Sequence, residues 1–247
     1  MSFDFAYAGT CFAPILQKFG VTMQMALLST VLALLVGVLL AAAIETRFPM
    51  LGPLSHFVCS FLKGVPVLVF LYLAFNSLPD GLIAAGLSYD RRNPPQLLFA
   101  VLAFGLAYAP YMADMFVSAY RTVPKGQKEA CMAAGFTGFQ AMRRIIVPQM
   151  VVVAVPIFGN HFVNLLKTTS LAYLVNMVEM MGAAKNYATG FQMFLETYIV
   201  AALIYWGICI AFDQLFAVLE RRLGKFRERT AAVKKPGVLT AVLGAGR

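Results

Sequence analysis

Charged residues make up only 13% of this 247-residue chain, too few to keep the surface of a water-soluble domain of that length wetted. The two histidines, His56 and His161, stand far apart with no carboxylate at ligand spacing. Packing is the simpler role for each, and no metal site is expected. The four cysteines, Cys11, Cys59, Cys131 and Cys209, fall in or beside apolar segments. They read as small buried hydrophobes rather than disulfide or metal partners. A GxxxxGK(S/T) phosphate loop is missing, so the chain alone is not expected to hydrolyse ATP by the P-loop route. Neither a nucleophile elbow nor an HExxH pair is found, and no catalytic residue is assigned. A cleavable signal is not expected: residues 1–19 hold one Asp and one Lys, and the apolar run after them is too long for a signal core.

What the chain has is apolar length. Hydrophobic residues reach 60% and mean hydropathy is +0.76, the composition of a polytopic membrane protein. Between Lys18 and Glu45 lie 26 uncharged residues, enough to cross ~30 Å of hydrocarbon at ~1.5 Å per residue. Five spans are expected, at about 20–44, 54–77, 97–120, 146–166 and 197–219. Residues 1–19 then form a short leading segment. Residues 224–247 are basic, then rich in Pro, Gly and small side chains, and read as a disordered tail.

Polar residues interrupt three of these spans. Lys63, in Lys63-Gly64-Val65-Pro66, either lines a wet path or snorkels from near one membrane face. Asp114, beyond the kinking Pro110, is either a structural partner for a basic group or part of a polar path. Asn160 and Asn164 make the later half of the fourth span polar, and it runs into Lys167-Thr168-Thr169-Ser170. That stretch is either an outer-end anchor or a broken half-helix whose backbone and hydroxyls meet a solute. Residues 171–196, with Glu179, Lys185 and Glu196, are too interrupted for a simple span.

The longest polar island is 121–148, which holds Arg121, Lys125, Lys128, Arg143 and Arg144. It reads as two short helices. The first runs from about Lys125 to Ala134 and ends at Gly135 in a left-handed conformation. The second opens on a Thr137-x-x-Gln140 capping box and is stopped by Pro148. At helical spacing Phe139, Met142 and Ile146 share a face turned from Arg143 and Arg144. Such an elbow is either a docking surface or an ordinary basic loop. The net charge of +9 lies in loops, where it sets orientation, so no nucleic-acid partner is expected. Fourteen of the 20 Lys and Arg fall in the turn after the first span, the elbow and the tail. The positive-inside rule puts those in the cytoplasm and the N-terminus outside.

The elbow carries a recognisable pattern: Glu129-Ala130-Cys131, three residues, Gly135, nine residues, Ile145, one residue, Val147-Pro148. It resembles the EAA motif (EAA-x3-G-x9-I-x-LP) of binding-protein-dependent ABC importer permeases, with Cys131 for an Ala and Val147 for a Leu. Lys63-Gly64-Val65-Pro66 is similar to the family's Arg-Gly-Thr-Pro. Pro124-Lys125-Gly126-Gln127, Leu165-Leu166-Lys167-Thr168-Thr169-Ser170-Leu171 and Leu219-Glu220-Arg221-Arg222-Leu223 add to the likeness, which covers about 20–223 and is nearest the polar amino acid subfamily.

The resemblance implies an all-α type I ABC importer transmembrane domain over 20–223, in a bacterial inner membrane. It implies a non-catalytic permease subunit that couples through Glu129, Ala130, Gly135, Arg143, Arg144 and Pro148 to two ATPase subunits. Those would carry the ATP and magnesium, and this chain would bind no cofactor of its own. A second permease subunit, identical or homologous, and an external solute-binding protein complete the expected partners. The candidate path residues are Lys63, Asp114, Asn164, Lys167, Thr168, Thr169 and Ser170, for a polar amino acid; residues 178–185 and 201–206 look closest to cystine-type permeases. A self-sufficient, gradient-driven carrier and a membrane scaffold or enzyme are the competing classes.

Overall fold

The computed structural model describes residues 4–46, 48–84, 86 and 95–232, with the side chains of all of these except 82 and 225–232. Arg47, Arg91 and Arg92, used in the charge balance, and residues 233–247 of the basic tail lie outside them. The described residues form ten α-helices and no strand, so the all-helical expectation holds. α1 (Phe5–Leu16) is capped by Asp4, whose carboxylate accepts from the Tyr7 N–H at 3.0 Å. α2 (Phe19–Ile44) follows directly and is about 39 Å long at helical rise.

The next span is broken in two. α3 (Leu51–Gly64) and α4 (Val67–Ala84) meet at an angle of 93°. The cause is local: Pro66 has no N–H to offer the helical ladder, and the residue before a proline is pushed out of the helical region. Val65 is accordingly extended (φ −89°, ψ 125°). α5 (Gln96–Arg121) is the central helix, and it packs along α2 through small residues. A Cβ added to Gly37 would sit 2.9 Å from the Ala109 carbonyl oxygen, so the two backbones touch there.

α6 (Lys125–Ala133) and α7 (Gly138–Ala141) make the elbow. A π turn, Met142–Ile146, joins α7 to α8 (Val147–Thr168), and a 3-10 turn, Thr169–Val175, ends α8 at left-handed Asn176. α9 (Met180–Phe191) is short, and α10 (Phe194–Ala232) runs for 39 residues. α10 therefore continues through 224–232, where the sequence suggested that a tail begins.

Four buried clusters hold this together, one of them Ala41 of α2, Cys59 of α3 and Ala113 and Val117 of α5. Ala33, Met112, Phe162, Leu166 and Cys209 bind α2, α5, α8 and α10. Leu71 and Ala74 of α4 pack on Phe99 and Phe104 of α5. Cys11 and Ile15 of α1 pack on Met180 of α9 and Val200 of α10, which makes residues 5–16 of the leading segment a packed helix. All four cysteines are buried, as small hydrophobes would be.

Candidate functional site

Two regions concentrate polar chemistry. The first is the elbow. Gly135 ends α6 with φ +79°, a conformation that costs other residues roughly 1–2 kcal/mol. The Phe136 N–H reaches the Cys131 carbonyl at 3.0 Å, which closes the helix end. Thr137 then caps α7 in both directions: its Oγ1 accepts from the Gln140 N–H, and its own N–H donates to Gln140 Oε1 at 2.9 Å. The sequence reading of this corner agrees with the geometry.

Its far side differs. Pro148 does not stop a helix; it occupies the first turn of α8, and the helix runs unbroken from Gly138 to Val175. A proline is tolerated there because the preceding π turn already displaces the ladder, and the N–H it lacks has no ordinary partner. Gln149 completes the junction, its Nε2 donating to the Ile145 carbonyl at 2.8 Å and to Gln127 Oε1 of α6 at 2.6 Å. The π turn also shifts the phase of the side chains. Ile146 is buried while Phe139 is 74% exposed, so the shared apolar face read at 3.6-residue spacing does not form. Arg143 and Arg144 are mid-helix rather than at a C-terminus, and no helix-end dipole acts on them.

Most of the elbow faces outward. Glu129, Ala130, Gly135, Arg143, Arg144 and Pro148 are all exposed. Met132 is 64% exposed beside a cavity of about 750 Å3 bounded by Tyr120, Lys125, Lys128 and Glu129. At its root Arg121 Nε donates to Glu45 Oε1 at 2.8 Å, tying the end of α5 to the end of α2.

The second region lies at membrane depth around the break between α3 and α4. Lys63 is ion-paired with Asp114 of α5, so Asp114 has a basic partner and Lys63 does not snorkel alone. The Lys63 ammonium also lies 5.9 Å from the centre of the Tyr111 ring, which stands 5.7 Å from the His161 ring of α8. Three helices thus converge on four polar or aromatic groups. Tyr111 and His161 were not singled out as path residues. His161 had a chance of being found, because it stands one turn before Asn164 and two before Thr168 on the polar side of α8.

The other candidates disperse. Tyr108 and Thr168 share a 2.7 Å hydrogen bond. Thr168 Oγ1 also donates to the Asn164 carbonyl, Thr169 is buried with its hydroxyl on the Leu166 carbonyl, and Ser170 donates to the Lys167 carbonyl. Each of those hydroxyls donates within its own helix, Thr168 also meeting Tyr108 of α5, and they are not aimed at a common point. Asn164 and Lys167 are exposed, and Lys167 makes no ion pair among the described residues.

In sequence Glu179 is one charge of the interrupted 171–196 segment. It is fully buried. Its carboxylate caps α9, accepting from the Met181 and Gly182 N–H groups at 2.8 and 2.9 Å and from the Tyr205 hydroxyl of α10 at 2.9 Å. Thr22 of α2 lies 3.5 Å away and accepts from the Met180 N–H at 3.2 Å. One carboxylate therefore joins α2, α9 and α10 without a cation. No cluster of metal-ligating side chains occurs among the described residues.

Comparison with known proteins identifies the family. Residues 33–225 match the family described as binding-protein-dependent transport system inner membrane component. The probable amino-acid permease protein YxeN of Bacillus subtilis (strain 168) is 36% identical, over 90% of this chain and 96% of that protein. The L-cystine transport system permease protein TcyL of the same organism is 32% identical, over 94% and 96%. A solved structure titled as an amino acid ABC transporter with histidines superposes with a TM-score of 0.76 at 25% identity, covering 90% of this chain and all of that one. The chain is a member of the binding-protein-dependent transport system inner membrane component family, with the transmembrane fold of a type I ABC importer.

Proposed function

We propose that this chain is the membrane-spanning permease subunit of an ATP-driven amino acid importer. The observation that carries the reading is the elbow: a rigidly capped corner, exposed and without internal partners for Lys125, Glu129, Arg143 and Arg144 among the described residues, yet continuous with a membrane span. It lies in the cytoplasm, with the C-terminus, and the N-terminus is outside; the basic residues of the elbow support that orientation. Two ATPase subunits dock on it through Glu129, Ala130 and Gly135, and they alone bind ATP and magnesium. When they close, the elbows move as rigid bodies and swing the 20–223 transmembrane domain between inward-open and outward-open states.

Gln149 gives that motion a route. It holds the first elbow helix to the foot of α8, so a pull on α6 is felt at the start of a span that ends near Thr168. A second permease subunit, identical or homologous, completes the pathway, and an external solute-binding protein delivers the substrate. Names of relatives support a polar amino acid, with cystine as the first to try.

Affinity capture of the chain from membranes, followed by identification of what travels with it, tests the reading. An ATP-hydrolysing partner and a bound amino acid are expected. Uptake by the chain alone, reconstituted without any ATPase and driven by a proton or sodium gradient, would replace it with a secondary carrier.

A further inference from the structure

At the foot of α2 and α5 the elbow carries chemistry that docking does not use. The residues of α6 fall on three faces. Gln127 and Cys131 turn inward, and Gly126, Ala130 and Ala133 make a small-residue face where another backbone can come close. Lys125, Lys128, Glu129 and Met132 share the third face, at i, i+3, i+4 and i+7. That face borders the cavity of about 750 Å3, which Arg121 and Tyr120 of α5 and Glu45 at the end of α2 also line. Sites for small ligands span roughly 300–1,000 Å3, so the space is large enough to hold one. Depth matters as well. α2 is about 39 Å long, against ~30 Å of hydrocarbon and ~40–45 Å with the headgroups, so Glu45 and its partner Arg121 stand in the headgroup layer. Phe48 and Met50, in the turn that follows Glu45, are both largely exposed, as apolar side chains seated at a membrane boundary are.

Charge then narrows the occupant. Arg121 spends Nε on Glu45 and keeps both terminal nitrogens free among the described residues. Lys128 Nζ lies 3.5 Å from the Tyr120 hydroxyl, long for a hydrogen bond, and Lys125 has no partner among the described residues. A guanidinium fork, two ammonium groups and a phenol around one space form the donor set of a phosphate. Three cations against the carboxylates of Glu45 and Glu129 leave one net positive charge, the complement of a phosphodiester monoanion. We infer that this cavity holds the phosphodiester of an acidic phospholipid of the cytoplasmic leaflet, bound by Arg121, Lys125, Lys128 and Tyr120. A zwitterionic lipid brings its own cation and leaves the positive charge unneutralised. Bound there, the acidic headgroup bridges α6 to the feet of α2 and α5, so the first elbow helix is braced against the bilayer as well as against α8. The inference rests on the cytoplasmic placement of the elbow proposed above, not on what docks there.

The test titrates the complex, as captured from membranes and held in detergent, with dioleoylphosphatidylglycerol or dioleoylphosphatidylcholine. Native mass spectrometry counts the lipids retained per permease. The wild-type complex should hold phosphatidylglycerol about tenfold or more tighter than phosphatidylcholine, and Lys125→Gln with Lys128→Gln should remove that preference. Lys125→Arg with Lys128→Arg keeps charge and donors and should preserve it. Arg221→Gln with Arg222→Gln takes two charges from the same side of the membrane and should leave it unchanged. An equal fall in both Gln pairs would mean diffuse attraction to charged lipid and would overturn the site. Inorganic phosphate and sn-glycerol 3-phosphate, each in large excess, should not displace the lipid; displacement by either would assign the cavity to a soluble anion instead. Loss of the co-purifying ATPase from Lys125→Gln with Lys128→Gln, at unchanged lipid preference, would give this face to protein docking and overturn the site too. A permease captured without any ATPase is a different result: the importer reading fails, and the lipid counts still decide the site.

Discussion

The elbow and the intramembrane polar cluster spend charge in opposite ways. At the elbow, Lys125, Glu129, Arg143 and Arg144 are exposed and carry no internal partner among the described residues, while the corner between its two helices is closed by Gly135 and Thr137. Around the helix break, Lys63 and Asp114 neutralise each other, while the backbone between α3 and α4 is left open. One region is a stiff frame with unsatisfied side chains; the other is a satisfied pair on a broken frame. In water an unpaired charge costs little, so a surface can wait for a partner. Inside a membrane it costs about 2.5–3.5 kcal/mol even on the mildest scales, so a pair must form and can only be exchanged, not left vacant.

The sharpest way to break this contrast is at the elbow's frame. Gly135→Asp forces a side chain into a left-handed position and adds charge to the docking face. Together with Glu129→Lys it is expected to abolish ATP-driven uptake and co-purification of an ATPase, with membrane insertion intact by flotation. Normal uptake in both variants would remove the docking assignment.

Next in size is the buried network of Glu179. Glu179→Ala strands two backbone N–H groups and the Tyr205 hydroxyl, and the purified complex should lose about 3 kcal/mol in denaturant unfolding. Tyr205→Phe removes one donor and should cost about 1 kcal/mol. A silent Glu179→Ala would mean that the carboxylate does not hold α2, α9 and α10 together.

A subtler intervention addresses how the two regions communicate. Gln127→Ala and Gln149→Ala should each lower the amino acid moved per ATP hydrolysed, and a double-mutant cycle on that ratio should return a coupling of about 1 kcal/mol. Simple additivity would mean the 2.6 Å contact transmits nothing. The smallest effect is expected for Arg121→Gln. Its partner Glu45 is near the surface, so stability should change by less than about 1 kcal/mol, and less again at high salt.

Much of the frame was legible because it depends on local chemistry. The uncharged run between Lys18 and Glu45 can only be a long helix in lipid, and α2 fills it to the residue. Gly135 and Thr137 announce their conformations by residue type alone. Errors arose where a long-range contact or an irregular turn decides. Pro148 read as a stop because nothing in the local sequence signals a π turn, and the same turn undid the expected Phe139–Met142–Ile146 face. Lys63 and Asp114 are 51 residues apart, so each could be seen as an anomaly but not as one pair. Glu179 reads as one charge in an interrupted segment; only the approach of Thr22 and Tyr205 makes it a buried cap.

The central claim, that the elbow is a cytoplasmic handle covered by a partner, is tested most directly by Phe139→Cys. Phe139 is exposed and the four native cysteines are buried, so a membrane-impermeant maleimide should report on that position alone. Labelling is expected in inside-out vesicles, not in intact spheroplasts, and it should fall when the co-purifying ATPase is present. Labelling from outside intact cells would put the elbow on the wrong face of the membrane and contradict the account.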